Sequence, residues 1–199
     1  MLAVSSPDHP VRVGESSPPG LRERLKHAIA HAHRDLDARY AAYRLTSVDG
    51  YCRFLEASAA ALLPLEAALD RAGVADLFLD WPRRLRRAAI TADLDRIGGV
   101  AHPLQSPALL GRNGVLGTMY VLEGSRLGAK YLLRTIADCG EPRIAAATRY
   151  LSHGSGQPLW RTFLARLESE QVTPNDEVEI ISGAQSAFDM FARAAGAAA

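Results

Sequence analysis

The stretch LGTMYVLEGSRLGAKYLL, residues 116–133, decides how this chain is read. Its apolar residues recur at helical spacing without strict alternation, so the segment is read as a helix. Yet it carries Gly117, Gly124 and Gly128. Spacings of seven and four residues set all three on one face, with Tyr120 and Tyr131 along one shoulder and Ser125 along the other. An interior glycine costs a helix about 1 kcal/mol relative to alanine, so the stripe forfeits roughly 3 kcal/mol. Two arrangements offset that loss. One is close packing of a second helix against the small residues. The other is a flat cofactor pressed onto the backbone near the Gly124–Ser125 peptide. The face offers no strong acid or base, since Glu123 lies off it and is read as the partner of a neighbouring Lys or Arg.

Outward from this segment nearly every stretch keeps a helical period. Helices are expected at 20–44, 48–71, 82–98, 107–139, 142–151, 156–170 and 174–195. The punctuation agrees. Ser47 before Val-Asp-Gly reads as a helix start, and Gly73 as a stop. Trp81-Pro82 opens the third helix and Gly98-Gly99 ends it. Thr173-Pro174 caps the last one, with Asp176 and Glu177 at its positive dipole end. Residues 1–19, rich in Pro and Ser, read as a disordered leader, and the terminal AAGAAA as frayed. The expected fold is therefore all-α, one compact helical domain over residues 20–195 joined by short loops.

Composition narrows the function classes. At 199 residues with 48% hydrophobic content, one domain has a sufficient core without disulfide or metal staples. A net charge of +1 gives no reason to expect nucleic acid or a membrane surface as partner. No segment reaches the ~18 apolar residues that cross a bilayer. The start of the chain lacks the apolar run of a secretory signal, so a cytoplasmic setting is expected. Cys52 and Cys139 lack CxxC spacing and read as small buried hydrophobes. Arg83, Arg84, Arg86 and Arg87 form either a docking face or, more commonly for such runs, a solvated helix face.

On the first helix, Leu21, Leu25, Ile29, Ala32, Leu36 and Tyr40 make an apolar stripe. His33 borders it, and Lys26 falls on the same flank two turns earlier. His27 and His31 point to the opposite, wet side. A lone histidine is either a half-buried group bonded to a carbonyl or a ligand. It cannot build a zinc site, which takes three or four ligands. Haem is different, because porphyrin brings four donors and the protein adds one imidazole. Lys26 lies roughly 10 Å along the axis from His33, a placement that suits a carboxylate at the haem edge.

Together the two helices resemble one family. LRERLKHAIAHAHRDLD (residues 21–37) is similar to the proximal helix of haem oxygenases, and GTMYVLEGSRLGAKYLL to the distal helix of their bacterial branch. GQPLWRTFLARLESEQVTP and SGAQSAFDMF resemble the last two helices of that family, and LDWPRRLRRAAITADLDRIG the middle region of forms that supply bilin to bacterial phytochromes. The similarity spans about residues 20–193.

The resemblance implies oxidative cleavage of haem, both cofactor and substrate, to biliverdin, carbon monoxide and ferrous iron, with a purpose in chromophore supply. It implies His33 as iron ligand, Lys26 and Tyr120 at the haem edge, Phe188 as pocket lining, and Gly124, Ser125 and Gly128 as the catalytic distal face. It also implies O2 and external electrons, because the chain has no GxGxxG loop or cysteine cluster. A ferredoxin or flavoprotein reductase is the expected donor and a bacteriophytochrome the possible bilin acceptor. Arg161 and Arg193 are candidates for a second carboxylate partner. Ser125 stands where animal enzymes carry Asp, and Ile29 where a Thr is usual. A haem carrier or sensor without turnover, and a helical interaction module without haem, are the alternative readings.

Overall fold

Leu25 and Ile29, one helical turn apart, are both buried, and that spacing sets the first turns of the fold against the core. The computed structural model describes residues 19–108 and 111–197. Among them the chain forms α1 (Leu21–Ala28), α2 (Ala30–Ala41), α3 (Val48–Arg71), α4 (Val74–Leu77), α5 (Trp81–Arg84) and α6 (Arg87–Ile97), then α7 (Arg112–Ala137), α8 (Pro142–Ala145), α9 (Arg149–Ser152), α10 (Leu159–Glu168) and α11 (Pro174–Ala197). No strand occurs among the described residues, and none of their helices is long and apolar enough to cross a membrane. The fold is all-α. The expected leader falls outside the described residues except for Pro19.

Local chemistry explains the ends of the long helices. Ser47 has extended backbone and its hydroxyl accepts from the Gly50 N–H at 3.2 Å, opening α3. Thr173 and Asp176 cap α11 reciprocally: the Asp176 N–H donates to Thr173 Oγ1 at 3.2 Å, and the Thr173 N–H donates to Asp176 Oδ2 at 2.9 Å. Gly73 and Gly98, at φ 72° and 86°, supply the left-handed turns that stop α3 and α6.

Several expected helices are divided, for reasons far away in sequence. The first breaks at Ile29 (φ −98°, ψ 3°), although His33 N–H still reaches the Ile29 carbonyl at 3.0 Å. The expected 82–98 helix is split at Leu85–Arg86. There the buried Glu66 carboxylate on α3 accepts from the N–H groups of Arg86 and Arg87, at 2.7 and 3.1 Å, and so caps α6 from outside. The 142–151 segment divides into α8 and α9 in the same way. Asp93 on α6, fully buried, accepts from the N–H groups of Arg149 and Tyr150 at 3.0 and 2.7 Å.

The last helix, α11, is the centre of the packing, with α1, α2, α3 and α7 all against it. The α1–α2 pair runs alongside α11 in the same direction. Arg24 pairs with Glu177 at 2.7 Å, the His33 and Phe188 ring centroids lie 5.8 Å apart, and the Tyr43 hydroxyl donates to the Ala195 carbonyl at 3.3 Å. On another side α7 crosses α11 close to its start. The Asn113 amide donates to Asp176 at 2.7 Å and to Glu179 at 2.9 Å. A Cβ at Gly117 would overlap the Ile180 carbonyl, and one at Gly183 would lie 2.7 Å from the Gly114 carbonyl. The proximal and distal segments therefore share α11 as their common support.

Candidate functional site

His33 sits on α2 with its side chain 60% exposed, one edge toward Phe188 of α11. Its Nδ1–H donates to Asp37 Oδ2 at 2.9 Å, one turn along the helix. That bond fixes the tautomer and leaves the Nε2 lone pair free to bind a metal. His31 makes the same kind of bond to Asp35 at 3.0 Å, but it is 81% exposed and turned to solvent. Among the described residues no group of three or more His, Cys, Asp or Glu converges on a metal-sized site. His33 can thus serve only a metal that brings most of its own donors, which is the case for haem.

On the distal helix the three glycines separate into different roles. Gly117 belongs to the α7–α11 crossing, so its part of the stripe is helix packing and not a cofactor face. Gly124 has the Trp160 ring behind it, 3.7 Å from where a Cβ would stand. Gly128 has open space at the same position. Leu127 and Tyr131, next to it, are 52% and 71% exposed, large apolar groups left uncovered. Gly124 and Gly128 lie about 10 and 16 Å along α7 from the crossing, and Phe188 beside His33 about 6 Å past Ala184 on α11, from the 1.5 Å rise per residue. The stretch of α7 around Gly128 is thus open backbone flanked by exposed apolar side chains, and His33 stands on α2, which shares α11 with α7 as its support.

Tyr120 is buried, its ring edge-on to Trp160 at 5.4 Å. Burial pushes its hydroxyl above the ordinary phenol value, while the nearby Arg22 of α1 draws it down. Lys26, one turn beyond Arg22, is exposed. Arg22 is thus the cation that the structure sets near Tyr120, with Lys26 one turn further along α1. Arg161 is exposed on α10. Arg193 instead lines an open groove of about 650 Å³ with Arg39, Ser186 and Asp189.

Behind the distal helix lies a buried ionic network that the arginine run did not suggest. Arg84 and Arg86 are 2% and 3% exposed, so that run is neither a solvated face nor, at these two positions, a docking face. Arg84 reaches Glu123 at 3.0 Å and Asp80 at 2.8 Å, and donates to Thr162 at 2.8 Å. Arg126 clasps the same Glu123 with Nε and Nη2, each at 3.0 Å, and donates to the His153 carbonyl at 3.2 Å. Burial, with Arg86 next in effect, pulls Arg126 below the ordinary guanidinium value against the attraction of Glu123. Arg86 donates to Ser125 Oγ and to the Leu122 carbonyl, both at 3.0 Å. The Ser125 hydroxyl itself donates to that carbonyl at 2.8 Å. Side chains competing for a ladder carbonyl in this way bend helices. One signal for this network was legible: Glu123 is the single acid of α7, and a buried carboxylate requires a cation.

The chain is similar to known proteins in sequence and in fold. Residues 105–195 match the profile of the family described as Heme oxygenase. The chain is 30% identical over 112 residues to a heme oxygenase of Xanthomonas campestris pv. campestris, covering 56% of this chain and 67% of that protein. It is 29% identical over 187 residues to heme oxygenase PigA of Pseudomonas aeruginosa, covering 89% and 92%. Its fold is similar to that of the NO- and CO-bound heme oxygenase from Neisseria meningitidis, with a TM-score of 0.75 and 22% identity over 90% of this chain and 92% of that one. With a relative matched over two thirds of its length and the same all-α fold, this chain belongs to the haem oxygenase family.

Proposed function

We propose that this chain binds haem through His33 and opens it to biliverdin, carbon monoxide and ferrous iron, with the biliverdin serving as a bilin chromophore. The observation that carries the reading is the pairing of His33 Nδ1 with Asp37 at 2.9 Å, which frees Nε2 on the flank shared with Phe188. The open backbone at Gly128 supports a flat ligand against the distal helix.

When bound, haem supplies the iron, the oxygen-activating chemistry and the ring that is cleaved. The chain's own residues position it. Asp37 holds the His33 ring in orientation through Nδ1, with Nε2 on the side away from that bond. Lys26 and Tyr120, with Arg22 beside them, receive the haem carboxylates, and Phe188 covers one edge. Gly124 and Gly128 let backbone approach where side chains would intrude, so that steric fit selects the ring edge. Ser125 ties the distal peptide to Arg86 and retains one lone pair for a water, since a hydroxyl has two acceptor sites. O2 and electrons come from outside, the latter from a ferredoxin or flavoprotein reductase. A bacteriophytochrome is the bilin acceptor suggested by the middle segment, and the cytoplasm is the setting in which these partners meet.

A single-turnover assay with purified protein, haem and a reductant tests this reading. Loss of the Soret band, growth of biliverdin absorbance and release of carbon monoxide are expected. A Soret band that persists under oxygen, with no bilin, would leave only a haem carrier or sensor.

A further inference from the structure

Arg126 of the distal helix spends every N–H of its guanidinium, which carries one on Nε and two on each Nη. Nε donates to Glu123 Oε2 at 3.0 Å, and Nη2 donates to Glu123 Oε1 at 3.0 Å and to the Arg84 carbonyl at 2.6 Å. Nη1 donates to the His153 carbonyl at 3.2 Å and to His153 Nδ1 at 3.1 Å. A guanidinium offers no lone pair and keeps its proton, so that last bond exists only while Nδ1 is unprotonated. His153 therefore stands neutral, with its proton on Nε2.

His153 opens the loop 153–158 between α9 and α10. Short-range bonds fold this loop on itself: the Ser155 N–H donates to the Ser152 carbonyl and the Gln157 N–H to the Gly154 carbonyl, each at 3.0 Å. Three arginines hold it to the rest of the molecule. Arg126 takes its first residue, Arg83 donates to the Gln157 side chain at 3.2 Å, and Arg84 donates to the carbonyl of Leu159, where α10 begins, at 3.0 Å. A Cβ at Gly154 would stand 3.3 Å from Arg126 Nη1 and 2.7 Å from Leu159 Cδ1, so the loop lies hard against both. Of these three attachments, only the one at His153 contains a group that titrates near neutral pH.

We propose that His153 is a proton-operated latch: neutral, it fastens the α9–α10 loop to the distal helix through Arg126, and protonated at Nδ1 it releases the loop. The added proton sets N–H against N–H and one cation against another across a 3.1 Å contact. The ionised groups in this cluster are Arg126 and Glu123 of α7, Arg84 of α5 with its partner Asp80, and Arg86 ahead of α6. From α10 the loop meets the apolar Leu159. Glu123 is held by Arg84 and Arg126, and Asp80 by Arg84, so both carboxylates are already engaged and neither is free to receive an imidazolium. Burial first, then Arg126 and Arg86, hold the imidazole below its ordinary value of 6.5, against the pull of Glu123. Opening therefore takes up a proton and becomes easier as pH falls below about 6.5. Arg126 keeps its bonds to Glu123 and to the Arg84 carbonyl, so the distal helix stays tied while the loop moves. The latch belongs to the fold and operates with or without haem.

The test is amide hydrogen exchange on the full-length protein at pH 7.5 and 5.5, corrected for the intrinsic pH dependence of exchange. In wild type the opening of the loop 153–158 should rise about tenfold between the two, as for one proton taken up by an imidazole of ordinary affinity. Exchange in the core of α3 should not change, which separates loop release from general unfolding. His153→Asn keeps an oxygen acceptor near the Nδ1 position and does not titrate, so its loop should open equally at both pH values. His102→Asn, at an exposed histidine in another loop, should behave as wild type. Nitrogen-15 spectra of the His153 ring at pH 7.5 should show the proton on Nε2. A wild-type loop with no pH dependence, the same rise in His153→Asn, or a proton on Nδ1 at pH 7.5 would each overturn the latch.

Discussion

The Glu123 carboxylate lies 3.0 Å from the Arg84 guanidinium, and each side chain is 1% exposed. Glu123 stands immediately before Gly124 on the distal helix, so this pair ties the glycine segment to the α5 turn and, through Arg126, to the loop at His153. Charges taken out of water in this way stabilise only when each is matched by several hydrogen bonds. Here the carboxylate is held by two arginines. The distal backbone is fixed from behind, which leaves its front free for a ligand.

Removing that carboxylate leaves Arg84 and Arg126 buried without their shared anion. Glu123→Ala should lower unfolding free energy by about 3–5 kcal/mol. Urea unfolding followed by circular dichroism checks this. A loss under 1 kcal/mol would show that water reaches the arginines and that the pair does not anchor the helix.

Gly117 and Gly128 share a helical face but should respond oppositely to alanine. A Cβ at Gly117 would overlap backbone of α11, so Gly117→Ala should destabilise the fold by about 3 kcal/mol or more. At Gly128 nothing lies within 4 Å, so Gly128→Ala should raise stability of the haem-free protein by about 1 kcal/mol while weakening haem uptake. Thermal unfolding and haem titration on the two variants separate the effects. Unchanged haem affinity in Gly128→Ala would remove Gly128 from the site.

His153 gives a pH dependence with a defined sign. Its Nδ1 lies 3.1 Å from Arg126 Nη1, which can only donate, so the imidazole must be neutral to accept. Burial first, then Arg126 and Arg86, pull it below its ordinary value of 6.5. The unfolded chain therefore binds the proton more readily, and stability falls as pH drops below about 6.5. His153→Asn should flatten that slope in unfolding measured from pH 7.5 to 5.5. An identical slope in the variant would mean that other groups carry it.

How far the sequence could be read depended on where the deciding contacts lie. Both ends of α3 and the start of α11 were legible because their caps are local, in Ser47 and in Thr173 with Asp176. The breaks around Arg86 and Thr148 were not, since Glu66 and Asp93 cap those segments from 20 or more residues away. The helical wheel set His33 beside the apolar stripe and His31 on the wet side, and the structure puts His33 against Phe188 while His31 is 81% exposed. The wheel also grouped Gly117 with Gly124 and Gly128, because an angle on a wheel does not say which neighbour occupies it. Arg84 and Arg86 read as solvated for a similar reason: their acidic partners lie on other helices. The expected part for Ser125 kept its location but changed its contacts, since its hydroxyl turns toward Arg86 and Leu122.

The central claim is that His33 is the axial ligand. Resonance Raman spectra of the ferrous haem complex test it most directly, through the iron–histidine stretch. The account predicts that the band is present in wild type and in His31→Ala, absent in His33→Ala, and restored there by added imidazole. A band that survives His33→Ala, or disappears in His31→Ala, would contradict it.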